Sequence, residues 1–381
     1  MKKLFRITTV PKSINGLLKN QLRFLNDYFE VTAVSSPGFE LAEIRKREGV
    51  KTIALKMERK ISIFNDLIAL YRMWRLFMKE KPFIIHSHTD KAGLLAMIAG
   101  KFAGVPHRIH TYAGLIFPTS TGIKRYILWT TDWLTCYFST ISIPEGTGVR
   151  NELLKNKITI RPLNIIANGS LCGIDVEYYT KTDEIISEAK QIRNSYNILE
   201  NEIVFSFIGR IVKDKGIEEL ILAFVNLIEN QKIQARLLIA GDFDDNLDPV
   251  NSDIEKCIKN HPRIHWLGFT KDVRPVFVAS DVFVLPSYRE GFPNVVIQAC
   301  ALEVPTIVTN IIGSNDIIQH KINGLVIASK NISALQNAMS ILYYDYDLRI
   351  KIGTNARENV IKKYNQKIIW DELKKLYCNL N

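Results

Sequence analysis

The sequence predicts an α/β protein built from two doubly wound domains, each a parallel sheet covered by helices. Short apolar strand patterns alternate with amphipathic helix patterns from residue 4 onward, the order that parallel strands joined by helical crossovers require. That rhythm stops at a turn-rich segment, Arg161–Gly173, and restarts at Ile203. The chain, at 381 residues, is also long for a single core. We therefore expect one domain over 1–165 and a second over 174–363, with 364–381 as a terminal helix.

The first strand, Leu4–Val10, leads through Pro11–Gly16 into a helix pattern marked by Leu17, Leu18, Leu22, Phe24 and Leu25. Gly16 is either an ordinary turn glycine or a point where backbone approaches a substrate. Tyr28–Val34 is the second strand, Glu40–Glu48 a helix and Val50–Leu55 a short third strand. Ile63–Lys79 carries a wide apolar stripe flanked by Arg72, Arg75 and Lys79. A helix covering the sheet explains the stripe, and contact with anionic lipid is the sharper alternative.

Phe83–His88 is a strand that ends in polar residues, followed by Thr89–Gly93 and the helix Leu94–Ala103. In an open parallel sheet ligands gather beyond the carboxyl ends of strands, which selects His88, Asp90 and Lys91. A histidine there is a structural residue or an acid–base group. His86 and His88 share a strand face but have no evident third ligand, so a metal is not expected. His107–Tyr112 is the next strand, and Ser120–Thr135 a helix with Lys124 and Arg125 in its first turn. Cations are unfavourable at that end of the helix dipole, which suggests an anionic partner. Thr140–Ile143 closes the first domain.

In the second half, strand Ile203–Ile208 runs into the loop Gly209–Gly216 and helix Ile217–Glu229. Arg210 and Lys215 bracket that loop and suit a diphosphate, a solvated basic loop being the plain alternative. Arg236–Ala240 is a strand followed by the polar turn Gly241–Asp248, in which Asp242-Phe-Asp244 is too short a motif to imply a metal. Arg263–Gly268 and Asp281–Leu285 are strands, and Asp272 caps a helix reaching Ala279. Pro286–Ala301 is a strand–turn–helix junction. Gly291 admits a ligand to the backbone, and the helix start near Asn294 and Val295 offers amides to an anion. Glu290 sits at the lip of that turn and Gln298 one helical turn inside, both able to face what the anion carries. Thr306–Thr309 is a further strand, and past Asn323-Gly324 helix patterns dominate, ending with Ile368–Leu376.

The net charge of +11 is uneven: residues 1–165 hold 26 Lys/Arg against 12 Asp/Glu (+14) and the remainder 24 against 27 (−3). A basic half faces either nucleic acid or an anionic membrane. The five cysteines are dispersed and form no Cys-x-x-Cys pair, so neither a disulfide framework nor a zinc site is expected. No apolar run approaches the ~18 residues of a membrane span, and the start is too short for a signal sequence, so a cytoplasmic location is expected.

Ser287–Ala301 resembles the Glu-x7-Glu signature of the family 4 retaining glycosyltransferases, with Gln298 in place of the second carboxylate, and Gly209–Gly216 resembles their Gly-Arg-x5-Gly phosphate loop. Gln298 keeps a hydrogen-bond acceptor and removes a charge. The resemblance implies the GT-B fold, two Rossmann-like domains facing a central cleft, with the terminal helix crossing back onto the first. It further implies transfer of a hexose or N-acetylhexosamine from a nucleotide diphosphate sugar, here UDP-linked, with retention of configuration and no cofactor or metal. Glu290 would hold the sugar and Gln298 the ribose. Arg210, Lys215 and the turn Gly291, Phe292, Pro293, Asn294 and Val295 would hold the diphosphate, and Gly268 and Phe269 the base. Asn168–Asp175 would line the cleft. Many family members carry a histidine where this chain has Ala113, and His110 stands two residues earlier. Lys91, Thr121–Arg125 and Trp133–Cys136 are similar to the bacterial members that assemble capsule, O-antigen or exopolysaccharide. Gly16, Lys91, His110, Lys124 and Arg125 then fall on the acceptor side, with His88 assisting. That resemblance implies a polyprenyl diphosphate-linked saccharide acceptor, a peripheral place on the anionic inner face of the plasma membrane, and no nucleic-acid partner. The competing readings are a nucleotide-sugar epimerase or glycosidic phosphorylase on the same fold, or a non-catalytic nucleic-acid-binding protein.

Overall fold

The computed structural model describes residues 1–58, 62–244 and 248–381. The chain divides into two units, Met1–Gly173 with Gln366–Asn381, and Ile174–Asn365. The first contains strands β1 (Lys3–Ile7), β2 (Glu30–Ser35), β3 (Lys51–Ala54), β4 (Ile84–Ser87), β5 (His107–Tyr112) and β6 (Ile141–Pro144). They form one parallel sheet in the order β3-β2-β1-β4-β5-β6. The second contains β7 (Ile203–Ile208), β8 (Ala235–Ala240), β9 (Ile264–Gly268), β10 (Val282–Leu285), β11 (Thr306–Thr309) and β12 (Leu325–Ile327), in the order β12-β11-β10-β7-β8-β9. Each sheet is doubly wound, and its strand order reverses once, between β1 and β4 and between β7 and β10. At such a switch point the loops diverge to opposite faces and leave room for a ligand.

The strands read as near-continuous apolar runs because helices cover both faces. In the first unit one face packs Leu4, Val31, Ile84 and Ile109 beneath Ile14, Leu22 and Leu25. The terminal helix Gln366–Cys378 adds Leu373 and Tyr377 to that same layer, and Trp370 lies against Phe24 with ring centroids 5.5 Å apart. The opposite face holds Phe5, Ile7, Met73 and Phe77. The helix Ile63–Glu80 buries only Ala69, Met73 and Phe77, and leaves Ile63, Phe64, Leu67 and Tyr71 exposed. Three buried residues in 18 make a narrow stripe, so sheet packing accounts for only part of the apolar surface read from the sequence.

The opening helix is not the continuous segment the apolar spacing suggests. Pro11 begins a helix that ends at Leu17, and a second helix runs from Gln21 to Asn26, with Asn20 between them in the left-handed conformation (φ 63°). The buried Glu48 carboxylate accepts from the amides of Asn20 and Arg23, which anchors the second helix start. Gly16 therefore lies inside a helix with open space around it, not in a loop before one. Helices Thr147–Lys155, Asp183–Ser195 and Ser252–Asn260 and the three-residue β12 were not anticipated. Residues 245–247 of the expected polar turn after β8 fall outside the described residues.

Candidate active site

In the second unit the loops that follow β7 and β10 emerge side by side at the switch point. After β7, Ile211 and Val212 are buried, which anchors the loop, and Lys213–Lys215 make one 3-10 turn before the helix Ile217–Asn230. Gly216 closes that turn at φ +69°, and a Cβ there would stand 2.1 Å from the Pro286 carbonyl oxygen. Glycine is needed for both the conformation and the approach. This contact seats the start of one helix on the backbone of the β10 loop.

The seating has a chemical result. Lys215 Nζ donates to Glu290 Oε1 at 2.5 Å, with the two side chains only 19% and 12% exposed. Ser287 Oγ donates to the same oxygen at 2.7 Å, and Thr309 Oγ1 donates to the Ser287 carbonyl at 2.5 Å. The loops are further tied by the Tyr288 amide on the Asp214 carbonyl (2.8 Å) and by an Arg289–Asp214 ion pair (3.0 Å). Tyr288 Oη donates to Glu219 Oε1 at 2.5 Å, and burial together with that carboxylate raises its pKa well above the usual phenol range. Glu290 thus has one carboxylate oxygen held by two donors, which fixes the direction of the other.

Beyond Glu290 the chain turns through Gly291, buried Phe292 and buried Pro293 into the helix Asn294–Ala301. A Cβ on Gly313 (φ +83°) would come within 2.2 Å of the Gly291 carbonyl oxygen, so the turn after β11 braces this one from behind. The helix N-cap is Pro293, which has no side-chain cap, and its first turn has no acid. Such an end attracts an anion through its amides and its dipole. Val295 and Gln298 are half-buried. Gly268 ends β9 and accepts from the Gly241 amide at 2.8 Å, while the adjoining Phe269 is exposed. Arg210 follows β7 at the same end of the sheet, half exposed and paired with Asp244 at 3.3 Å. The second carboxylate of the Asp-Phe-Asp tripeptide is therefore occupied by a guanidinium. Among the described residues no group of three or more His, Cys, Asp or Glu is arranged to hold a metal ion.

In the first unit, β1 and β4 meet at a switch point that is polar and closed. His88, just past β4, is 1% exposed, and its Nε2 accepts from Arg6 Nε at 3.0 Å. Arg6 is itself fully buried and donates from Nη2 to Gln21 Oε1 at 2.7 Å, and Gln21 Nε2 donates to the Leu171 carbonyl at 3.2 Å. His86 bonds through Nδ1 to Tyr377 Oη and through Nε2 to Thr111 Oγ1 at 2.7 Å. Burial, then the charges of His86, Arg6 and His110, hold His88 well below the usual imidazole range. His88 is neutral and its Nε2 is occupied, so it is not the free general base that a strand-end histidine suggests.

The other acceptor-side candidates are mostly held by partners of their own. His110 is enclosed, with Nδ1 2.8 Å from Ser87 Oγ and its ring against Gly93, where a Cβ would meet it at 2.4 Å; burial lowers its pKa to about 3. Lys91 is bound to both oxygens of Asp66, at 2.7 and 2.9 Å. Arg125 donates to the carbonyls of Phe117 and Pro118 at 3.1 and 3.0 Å, so it braces the preceding turn. Lys124 is exposed and Gly16 lies in its short helix. Ser287, Thr309, Asp214, Arg6 and Gln21 were missed by sequence reasoning. The available signals were a serine three residues before Glu290 and an arginine inside the apolar strand Lys3–Ile7.

Comparison with known proteins identifies the family and the fold. The family described as "Glycosyl transferases group 1" matches residues 188–359, and "Glycosyl transferase 4-like" matches residues 6–131. The chain is 33% identical to the capsular polysaccharide biosynthesis glycosyltransferase CapM of Staphylococcus aureus, over 99% of this chain and 97% of that protein. It is 27% identical to the UDP-Gal:alpha-D-GlcNAc-diphosphoundecaprenol alpha-1,3-galactosyltransferase of Escherichia coli, over 84% of this chain and 82% of that one. The crystal structure of Anabaena Alr3699/HepE with UDP-glucose superposes over the whole of both chains with a TM-score of 0.83 at 16% identity, a likeness of fold. Two six-stranded doubly wound sheets, matches over both halves and a full-length relative at 33% identity lead to one conclusion: the chain belongs to the group 1 glycosyl transferases and has the GT-B fold.

Proposed function

We propose that this glycosyltransferase moves a hexose or N-acetylhexosamine from a UDP-linked donor to a polyprenyl diphosphate-linked saccharide, with retention at the anomeric carbon, in the assembly of a surface polysaccharide. The observation that carries the reading is the Lys215–Glu290–Ser287 cluster beside the uncapped helix start at Asn294. Cleavage of the donor leaves a diphosphate, and stabilising its growing negative charge lowers the barrier most. Lys215, Arg210 and the amides at the helix start supply positive potential fixed before the reaction begins. Glu290, with one oxygen held by Lys215 and Ser287, turns the other to the sugar hydroxyls. Gln298 takes the ribose, and the Gly268-Phe269 corner takes the base.

The donor and acceptor classes draw support from the E. coli relative, whose name states a UDP-linked galactose and a diphosphoundecaprenol-linked sugar. The surface-polysaccharide role draws support from CapM. No helix among the described residues is long and apolar enough to cross a membrane. Our reading places the protein on the cytoplasmic face as a peripheral enzyme of an anionic membrane, with no nucleic-acid partner. It assigns no metal to the reaction, since Asp244 is committed to Arg210.

The test is incubation with a panel of UDP-sugars and a short-chain polyprenyl diphosphate saccharide, with the product anomer read by NMR. Transfer that retains configuration, survives a chelator and disappears in Glu290→Ala with unchanged circular dichroism is expected. Wild-type turnover by Glu290→Ala would remove its assigned role. Epimerised donor without acceptor, or turnover that requires free phosphate, would replace the transfer reading.

A further inference from the structure

The Arg6–His88 pair determines where the proton sits on a buried imidazole. An arginine Nε–H can only donate, so the ring nitrogen it meets, Nε2 of His88 at 3.0 Å, must be an acceptor. A neutral ring with Nε2 unprotonated carries its proton on Nδ1. Arg6 cannot pivot away from this task. Its Nη2 is held by Gln21 Oε1, and the Gln21 amide is oriented by donating Nε2 to the Leu171 carbonyl. The side chain is fully buried on β1, where the register sets Arg6 beside His86 of β4.

Charge reinforces the geometry. The groups that act electrostatically on His88 are His86, with ring centroids 4.1 Å away, Arg6 and His110, and all three oppose a positive charge on the ring. His86 is held between Tyr377 and Thr111, and His110 is bonded to Ser87. Two polar atoms of this cluster have no hydrogen-bond partner among the described residues, Arg6 Nη1 and the enclosed His88 Nδ1. A buried N–H without an acceptor loses its hydration and gains nothing in return. Such a group, at the carboxyl end of β4 and beside the sheet's switch point, is placed for a partner that arrives with substrate.

We propose that Arg6 is a positioning residue that fixes His88 as the neutral Nδ1–H tautomer, and that this N–H is the donor His88 presents to an oxygen of the saccharide acceptor. The second half rests on the glycosyl transfer proposed above, and the first does not. His88 then works as a fixed hydrogen-bond donor whose protonation state does not change between mild acid and mild base.

Long-range proton–nitrogen NMR spectra of the 15N-labelled full chain read the tautomer directly, with His88 assigned by its disappearance in His88→Asn. Between pH 5.5 and 8.5 we expect one neutral species protonated on Nδ1. An imidazolium or a ring protonated on Nε2 overturns the tautomer assignment, whether or not any transfer is detected. Arg6→Met should release the ring to a mixture of neutral tautomers, because burial, the largest cause of its lowered pKa, remains. It should also lower acceptor-dependent turnover by about 10²-fold, the loss typical of one preorganised donor, with KM for the nucleotide sugar unchanged. Arg6→Lys, which retains a donor, should restore part of both. Should the Arg6 variants fail to fold, His88 is tested on its own. His88→Phe should lose about 10²-fold in turnover, and His88→Asn, whose amide reaches the place of Nδ1, should retain more. Wild-type turnover in His88→Phe would overturn the contact with the acceptor.

Discussion

Glu290 shows how a carboxylate on a glycine turn is held in place by partners of its own. An isolated Glu on a glycine turn would sweep a cone, whereas here Lys215 and Ser287 both fix Oε1. Ser287→Ala removes one of those donors and no buried charge. We expect turnover to fall about 10-fold, the equivalent of one ordinary hydrogen bond, with the melting temperature nearly unchanged; equal turnover in steady-state assays would show that Ser287 does not orient Glu290. A second acid, Glu145, just past β6, bears on pH. Burial lifts its pKa from 4.5 to about 8, while its Oε1 accepts from the Leu171 amide at 3.0 Å. Below pH 4.5 both folded and unfolded forms hold the proton and the contribution is complete. Between 4.5 and 8 only the unfolded chain ionises, so stability falls by about 1.4 kcal/mol per pH unit, and above 8 the loss stops. Asp132, raised from 3.8 to about 8 mainly by burial, runs in the same sense. Glu145→Gln keeps the acceptor for Leu171, so its melting temperature should decline less than wild type between pH 5 and 8. Parallel declines would remove Glu145 as a cause.

At the scale of elements, the two loops at the second switch point work because a helix start rests on a strand-end carbonyl. Gly216→Ala must abandon a left-handed φ and meet the Pro286 oxygen. We expect a loss of about 1–3 kcal/mol in denaturant unfolding, together with weaker nucleotide-sugar binding in titration calorimetry. Wild-type affinity would mean that the seating does not position Lys215. The strand–helix alternation and this junction were legible in the sequence because both write themselves as patterns: apolar runs, a glycine at each end of a basic loop, an acid before a glycine turn. What was not legible lacks a pattern. A three-residue strand such as β12 has too few positions to show a period, and the break at Asn20 depends on Glu48, 28 residues away, reaching two amides. Lys215 and Glu290 were foreseen as functional, but their contact with each other was not. Sequence spacing says nothing of the Pro286 backbone on which Gly216 rests. In the first unit, His110 and Lys91 were expected on the acceptor side from strand-end position and family resemblance, and neither signal shows that Ser87 and Asp66 hold their side chains.

Across the whole molecule the charge is divided: +14 in residues 1–165 and −3 in the remainder. The basic part also leaves apolar side chains uncovered on two of its helices. Helix Ile63–Glu80 exposes Phe64 and Leu67, and helix Gly122–Phe138 exposes Ile123 and Tyr126 beside Lys124. The outward faces of both helices combine aromatic and aliphatic groups with cations, the composition of a surface that lies at a lipid headgroup boundary. Basic residues near an anionic bilayer contribute about 1 kcal/mol each and act within a Debye length, so salt weakens them, while the apolar contribution is insensitive to it. We therefore expect the protein to float with vesicles containing phosphatidylglycerol at low salt, to bind neutral vesicles less, and to be released partly by 0.5 M salt. Ile123→Ser with Phe64→Ser should lower the salt-resistant fraction without changing the melting temperature, because neither side chain packs in a core. Salt alone releasing all of the wild-type protein would assign the attraction to charge and leave the exposed apolar residues without a role at the membrane.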